Sequence, residues 1–289
     1  MTTYVVGVAG SADNAVVPHP LLAWAQSVAG GDDSIVAVHA WEVPIVTGYE
    51  AVAAVDTQAV ESAGEEFMRT LLADHGDGRT TGRVVSGHPG RALTDLVEAT
   101  AGDVTVVVGH AGSSKIGLLV GSTANYVIRH ARGPVVVVRG DVRLPVRWVV
   151  VGMDEPHEDH PDEPSVAALR WAVTLPGVER VEVHHAAFVP GVAAGPLSQP
   201  GIESEEEIAE LDGQLRAAIA EAVGDRAVDA EVTPVVTGGT AGFALIEASR
   251  HADVVVIGTR GHSGLIELIT GSTSLEVIAH AHCPVAVIR

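Results

Sequence analysis

Residues 235–261 read VVTGGTAGFALIEASRHADVVVIGTRG: a short valine-rich run, a helix-patterned segment, and a second apolar run that closes on glycine. Residues 84–112, VVSGHPGRALTDLVEATAGDVTVVVGHAG, go through the same order. The likeness extends outward from both copies. VVGVAGS at 5–11 answers VVGMDEP at 150–156, and AVHAW at 37–41 answers EVHHAAF at 182–188. GSTANYVIRHARGPVVVVR at 121–139 answers GSTSLEVIAHAHCPVAVIR at 271–289. Self-similarity at a period of about 145 residues, the size of an ordinary domain, marks a duplication. The chain divides into a first domain at 1–139, a linker at 140–147 (GDVRLPVR) and a second domain at 148–289.

Strand candidates in the first copy fall near 4–9, 34–40, 82–86, 103–108 and 134–138, with helix-patterned segments such as EEFMRTLLADH and RALTDLVEATA between them. The strands lack polar alternation, as expected where helices cover both faces of a sheet. Strands that alternate with helices through short connections form right-handed βαβ units and a parallel sheet. The expected fold is therefore α/β, two tandem doubly wound domains.

Bulk properties narrow the function. The 289 residues are 47% hydrophobic with a mean hydropathy of +0.29, ample for a core. The apolar runs fall well short of the roughly 20 residues that cross a bilayer. No basic n-region precedes the first strand, so no signal peptide is expected. The one cysteine, Cys283, has no internal partner and suits a reducing, cytoplasmic location. A net charge of −20 argues against nucleic acid or an anionic membrane as partner. Lys115 is the sole lysine and G-x4-G-K-[ST] does not occur, which excludes the lysine-bearing phosphate loop.

A phosphate site built without lysine is still open. Residues 258–273, GTRGHSGLIELITGST, follow the fourth strand of the second copy, at the sheet edge where open α/β folds bind ligands. Glycines allow close backbone approach, and a helix N-terminus offers free N–H groups and a favourable dipole. Ser272 and Thr273 add hydroxyls. An ordinary β-to-α loop with a Ser/Thr cap is the competing reading.

At this stretch the sequence resembles the universal stress protein family, whose ATP-binding members carry G-x2-G-x9-G-[ST] after the fourth strand. Gly258, Gly261, Gly271 and Ser272 match that spacing, and the resemblance spans essentially the whole chain. It implies a five-stranded sheet of order 3-2-1-4-5 in each domain and ATP, with Mg²⁺, as the ligand. It also implies dimerisation through the last strand, which in tandem chains can pair the two halves internally. The family's aspartate at the end of the first strand falls on Asp154, placed to meet the ribose or orient the base. Where relatives often continue with Gly-Ser, Glu155 and Pro156 stand here, and the added charge either weakens ATP or calls for Mg²⁺. Base contact comes from the end of the second strand, where His185 and Ala186 both remain candidates. Arg260 either reaches an anionic ligand or is a solvated loop arginine.

The first copy departs from the motif. Ala9 replaces the aspartate, and eight residues separate Gly112 from Gly121 instead of nine. One missing residue shortens the loop by up to ~3.3 Å, enough to misplace an amide. Gly109, Gly112, Gly121 and Ser122, with Ala40 at the second strand's end, form a weaker site, to which Lys115 could add charge. The expected molecule is an asymmetric ATP sensor. Nucleotide would order residues 262–270 and 189–204 and so change the surface offered to an unidentified protein partner. No catalytic residue is nominated, since no nucleophile triad or carboxylate pair is legible. Slow ATP hydrolysis or adenylyl chemistry, and a nucleotide-independent interaction module, are the rival functions. The histidine-rich stretches HEDHPDE (157–163) and HAHC (280–283) lack paired zinc-ligand spacing and are read as a solvated turn and a helix end.

Overall fold

The computed structural model describes residues 1–9, 19–42, 56–109, 121–154, 164–187, 205–224, 228–259 and 272–289. In chain order the first domain comprises β1 (Thr2–Gly7), α1 (Pro20–Val28), β2 (Ser34–Trp41), α2 (Thr57–His75) and β3 (Thr80–Ser86). It continues through α3 (Pro89–Ala99), β4 (Asp103–Gly109), α4 (Ser122–His130) and β5 (Val135–Val138). The second repeats the order with β6 (Trp148–Gly152), α5 (Pro164–Ala172), β7 (Arg180–Ala187), α6 (Glu205–Val223) and β8 (Glu231–Gly238). It closes with α7 (Ala241–Ala248), β9 (Val254–Gly258), α8 (Ser272–His280) and β10 (Val285–Ile288).

The chain forms two compact units that divide within β5. Strand order is β3-β2-β1-β4-β5 in the first domain and β8-β7-β6-β9-β10 in the second, the expected 3-2-1-4-5. The registered neighbours run parallel, β1 beside both β2 and β4, and β6 beside both β7 and β9. The order reverses at β1 and at β6, so each domain opens its crevice beyond those strands' carboxyl ends.

Uninterrupted valine runs become the central strands because both their faces are covered. Tyr4, Val5 and Val6 are all buried in β1, as are Val149, Val150 and Val151 in β6. Strands β1 and β3 start two residues earlier than the valine pattern suggests, at Thr2 and Thr80. Their first residues are only partly buried, and a threonine backbone joins the ladder as readily as a valine's. Helix α1 carries little polar patterning. It buries Leu21, Leu22, Trp24, Ala25 and Val28, and is held by packing more than by amphipathicity.

The segment between the domains is tied to the second unit. Asp141 N–H donates to His282 O at 2.7 Å, and the Arg143 guanidinium donates to Ala252 O and Arg250 O at 2.8 Å each. Gly140, at φ +56°, is pressed so closely against the His282 carbonyl that a Cβ would not fit.

Candidate functional site: a crevice at the end of β6

The site begins where β6 stops pairing. Beyond Gly152, Met153 N–H donates to His184 O at 2.9 Å, which carries the chain one residue past the sheet before Asp154. His185 is buried, with Nδ1 3.2 Å from Met153 O, and braces this exit from the opposite side. Gly152 lets α7 lean on the strand end: an added Cβ would meet Leu245 Cδ1 at 2.8 Å. Gly258, the last residue of β9, is overlain by the first turn of α5. A Cβ there would collide with the Pro164 carbonyl group and lie 2.6 Å from Ser165 N.

These contacts enclose a cavity of about 340 Å³, within the range of small-ligand pockets. Asp154, Ser165, Ala186, Gly258 and the first-turn residues Ser272, Thr273 and Ser274 line it. Two helix starts, those of α5 and α8, thus reach the same space, each with orphan N–H groups and a positive dipole end. The wall is mixed: one carboxylate, several hydroxyls, and apolar surface from Ala241, Ala244 and Leu245. His184 also faces the cavity, with Nε2 3.2 Å from Glu182 Oε2. Burial lowers its pKa even though the Glu182 carboxylate pulls the other way, so the ring is neutral near pH 7.

The structure brings Asp154, Gly258, Ser272, Thr273 and Ala186 together around this one cavity. Arg260, Gly261 and Gly271 lie outside the described residues, as do Glu155, Pro156 and the segments 262–270 and 189–204. Of the two candidates at the second strand's end, Ala186 lines the cavity and His185 turns to the Met153 carbonyl. The need for glycine at 258 is met inside the protein, by the backbone of Pro164 and Ser165. Ser165, Ser274 and His184 carry no motif that marks them in the sequence. Setting the two copies side by side exposes the two serines, because α1 and α5 both begin with proline and α4 and α8 both begin Ser-Thr.

The first domain keeps the backbone arrangement and changes the lining. Val8 N–H donates to Val38 O at 2.9 Å, and His39 Nδ1 lies 3.2 Å from Val8 O, repeating the Met153 and His185 contacts. Around that frame Ala9, Leu21, Ala40 and Ala124 stand where the second domain has Asp154, Ser165, Ala186 and Ser274. A Cβ added at Gly109 would meet only the Leu21 side chain, at 3.4 Å, in place of a helix backbone. Gly121 is the N-cap of α4, followed by Ser122 in the first turn; Gly112 and Lys115 lie outside the described residues.

Among the described residues no group of three or more His, Cys, Asp or Glu side chains is arranged to hold a metal ion. His157, Asp159, His160 and Asp162 lie outside them. His280 closes α8, and Cys283 is fully buried, its thiol pushed up to about 12 chiefly by burial. No described helix is long and apolar enough to cross a membrane.

Comparison with known proteins gives one family throughout. A model described as the universal stress protein family matches residues 5–139 and again 146–289. A universal stress protein of Mycolicibacterium smegmatis is 31% identical over 204 residues, covering 67% of this chain and 64% of the relative. The match thus spans a little less than two thirds of that relative's length. One from Mycobacterium tuberculosis is 28% identical over 238 residues, 78% of this chain and 71% of the relative. The crystal structure of a universal stress protein from Archaeoglobus fulgidus superposes with a TM-score of 0.65 at 18% identity, covering 99% of this chain and 98% of that one. That last likeness shows the fold.

Proposed function

The chain belongs to the universal stress protein family, and on that premise we propose that its second domain binds ATP, as Mg·ATP, and that binding regulates what the protein presents to a partner. The observation that carries the proposal is the shared cavity: a carboxylate at the end of β6 and the first turn of α8 line one space of about 340 Å³, a volume suited to a nucleoside and its first phosphates. The donor set fits the ligand. The α5 and α8 N-termini and the Ser272 and Thr273 hydroxyls offer hydrogen bonds to phosphate oxygens without a lysine. Asp154 offers acceptors for ribose hydroxyls, and Ala186 leaves room for a flat base against β7. Gly261, Gly271 and Arg260 complete the set by the family's motif.

The first domain, with Ala9, Leu21 and Ala124 at the corresponding places, serves mainly as scaffold. The proposed setting is the cytoplasm, where the single thiol stays reduced, and the proposed output is a nucleotide-dependent surface and not a chemical product. Calorimetric titration with Mg·ATP tests this. One site per chain is expected, and Asp154→Ala should weaken it by about tenfold or more through loss of charge-assisted hydrogen bonds. Two equivalent sites would refute the asymmetry. Absence of binding, or an Asp154→Ala variant with unchanged affinity, would refute the reading itself.

A further inference from the structure

Two large apolar side chains stay in solvent on neighbouring helices of the second domain: Phe243 on α7 at 54% exposure and Leu275 on α8 at 41%. The two helices meet where Gly242 lies against the Glu276 carboxylate, with no room for a Cβ between them. Phe243 and Leu275 are the chain neighbours of those residues, so both emerge beside one seam. Ala279, one turn beyond Leu275, is also partly exposed. The charged groups around them are Glu276 and the ion pair of Glu247 with Arg250, at 3.2 Å. Single exposed apolar residues are ordinary, but a contiguous apolar face marks a contact site.

The fold does not impose this face. In the first domain α3 and α4 meet at the same place, and a Cβ on Gly90 would lie 2.8 Å from Tyr126 Cβ. There Arg91, Asn125 and Arg129 hold the positions of Phe243, Leu275 and Ala279. Arg91 lies 3.8 Å from the Asp95 carboxylate, with both side chains well exposed. Arg129 Nε donates to the Asn125 amide oxygen at 2.8 Å, a neutral acceptor that leaves the positive charge uncancelled. Tyr126 stands between His88 and His130, with ring centroids 5.2 and 4.2 Å away. Residues 121–132 contain no carboxylate, in a chain whose net charge is −20. One helix pair is therefore cationic and aromatic, and its duplicate is apolar and acidic.

We propose that the α7–α8 face of one chain docks on the α3–α4 face of a second copy, with Arg91 and Arg129 meeting Glu276 and with Tyr126 packing on Phe243 and Leu275. Charge decides the pairing: two α3–α4 faces would set arginine against arginine, whereas the unlike faces complement each other. Arginine and aromatic side chains are also the types that interfaces favour. The contact joins unlike surfaces, so it differs from the pairing of like last strands, and it does not depend on nucleotide. Helices of eight and nine residues bury little area, which puts the association at about micromolar strength or weaker.

Sedimentation of the full chain at up to about 100 μM tests this. The wild type should rise above its monomer mass of 29.7 kDa as concentration increases. Phe243→Arg with Leu275→Asn gives the second face the first domain's own residues, which the duplicated scaffold already tolerates. Arg91→Glu with Arg129→Glu reverses the charge of the other face. Each double variant alone should weaken self-association by about tenfold or more. An equimolar mixture of the two retains one intact face of each kind and should regain a complex, limited to one chain of each variant. A wild type that stays monomeric, double variants that keep the wild-type association, or a mixture as dissociated as its parts would overturn the proposal. Unchanged unfolding midpoints in both double variants establish that the loss lies in the faces and not in the fold.

Discussion

The two domains leave their first strands in the same way and then diverge in what they place around the exit. Val8 and Met153 make the same backbone bond to the neighbouring strand, and His39 and His185 brace it at the same 3.2 Å. The lining does not follow. Leu21, Ala9 and Ala124 stand in the first domain at the places that Ser165, Asp154 and Ser274 hold in the second. Backbone geometry at a switch point is imposed by the parallel sheet and survives duplication. The side chains that meet a ligand are under no such constraint, so one copy can lose them without loss of fold.

The sharpest way to break the comparison is at the paired glycines. Gly258→Ala would drive a methyl group into the backbone at Pro164 and Ser165, which cannot rotate away. A loss of about 3 kcal/mol in the second domain is expected, at the upper end of overpacking costs. At Gly109 the added methyl meets only Leu21 side-chain atoms, at 3.4 Å or beyond, an ordinary contact. Gly109→Ala should therefore cost less than about 1 kcal/mol. Urea unfolding of each variant, followed by hydrogen exchange resolved by domain, measures both. Equal losses would mean that the two glycines have the same structural task.

Next in size is the exchange of Ser165 for its counterpart. Ser165→Leu puts the first domain's residue into the second domain's cavity and should weaken Mg·ATP by about a hundredfold, since branched apolar bulk would occupy ligand volume and remove a hydroxyl. Ser274→Ala, the milder exchange, should cost about threefold to tenfold, the worth of one hydrogen bond. The reverse change, Leu21→Ser, should destabilise the first domain by about 2–4 kcal/mol without creating a nucleotide site, because Ala9 still supplies no carboxylate. A Ser165→Leu variant with wild-type affinity would detach nucleotide from this cavity.

Much of this architecture is legible in the sequence alone. The duplication and the parallel sheets follow from paired motifs and valine runs, and the strand order from the family resemblance. The convergence of Asp154, Ala186, Gly258, Ser272 and Thr273 follows from that resemblance and from the rule that ligands sit beyond strand ends. Ser165 is hidden because a serine after the first proline of a helix is ordinary there, and Ser274 because it sits one position past the motif. His184 is harder still. It is unremarkable within its own strand, and only the facing it shares with Ala186 brings it to the cavity wall. The choice between His185 and Ala186 likewise needs the strand's facing, which adjacent residues of equal plausibility do not reveal. Even Gly258 has a reason the sequence hides, since the backbone that approaches it belongs to the start of α5, far away in the chain.

The smallest effect separates the domains by pH. Each buries a histidine whose pKa is lowered: His19 by burial, with the charge of His75 adding to it, and His184 by burial against the pull of Glu182. The unfolded chain takes up these protons near the ordinary imidazole value of about 6.5, and the folded chain only at lower pH. Between those values the unfolded state binds more protons, so stability falls as pH drops below about 6.5 and is unaffected above it. Unfolding midpoints compared at about pH 7.5 and about pH 5.5 should show a loss in both domains on acidification. His184→Phe should flatten the response of the second domain only, and His19→Phe that of the first. A pH response that survives both substitutions would place the acid-sensitive groups elsewhere, and the two crevices would then differ in their lining alone and not in their titration.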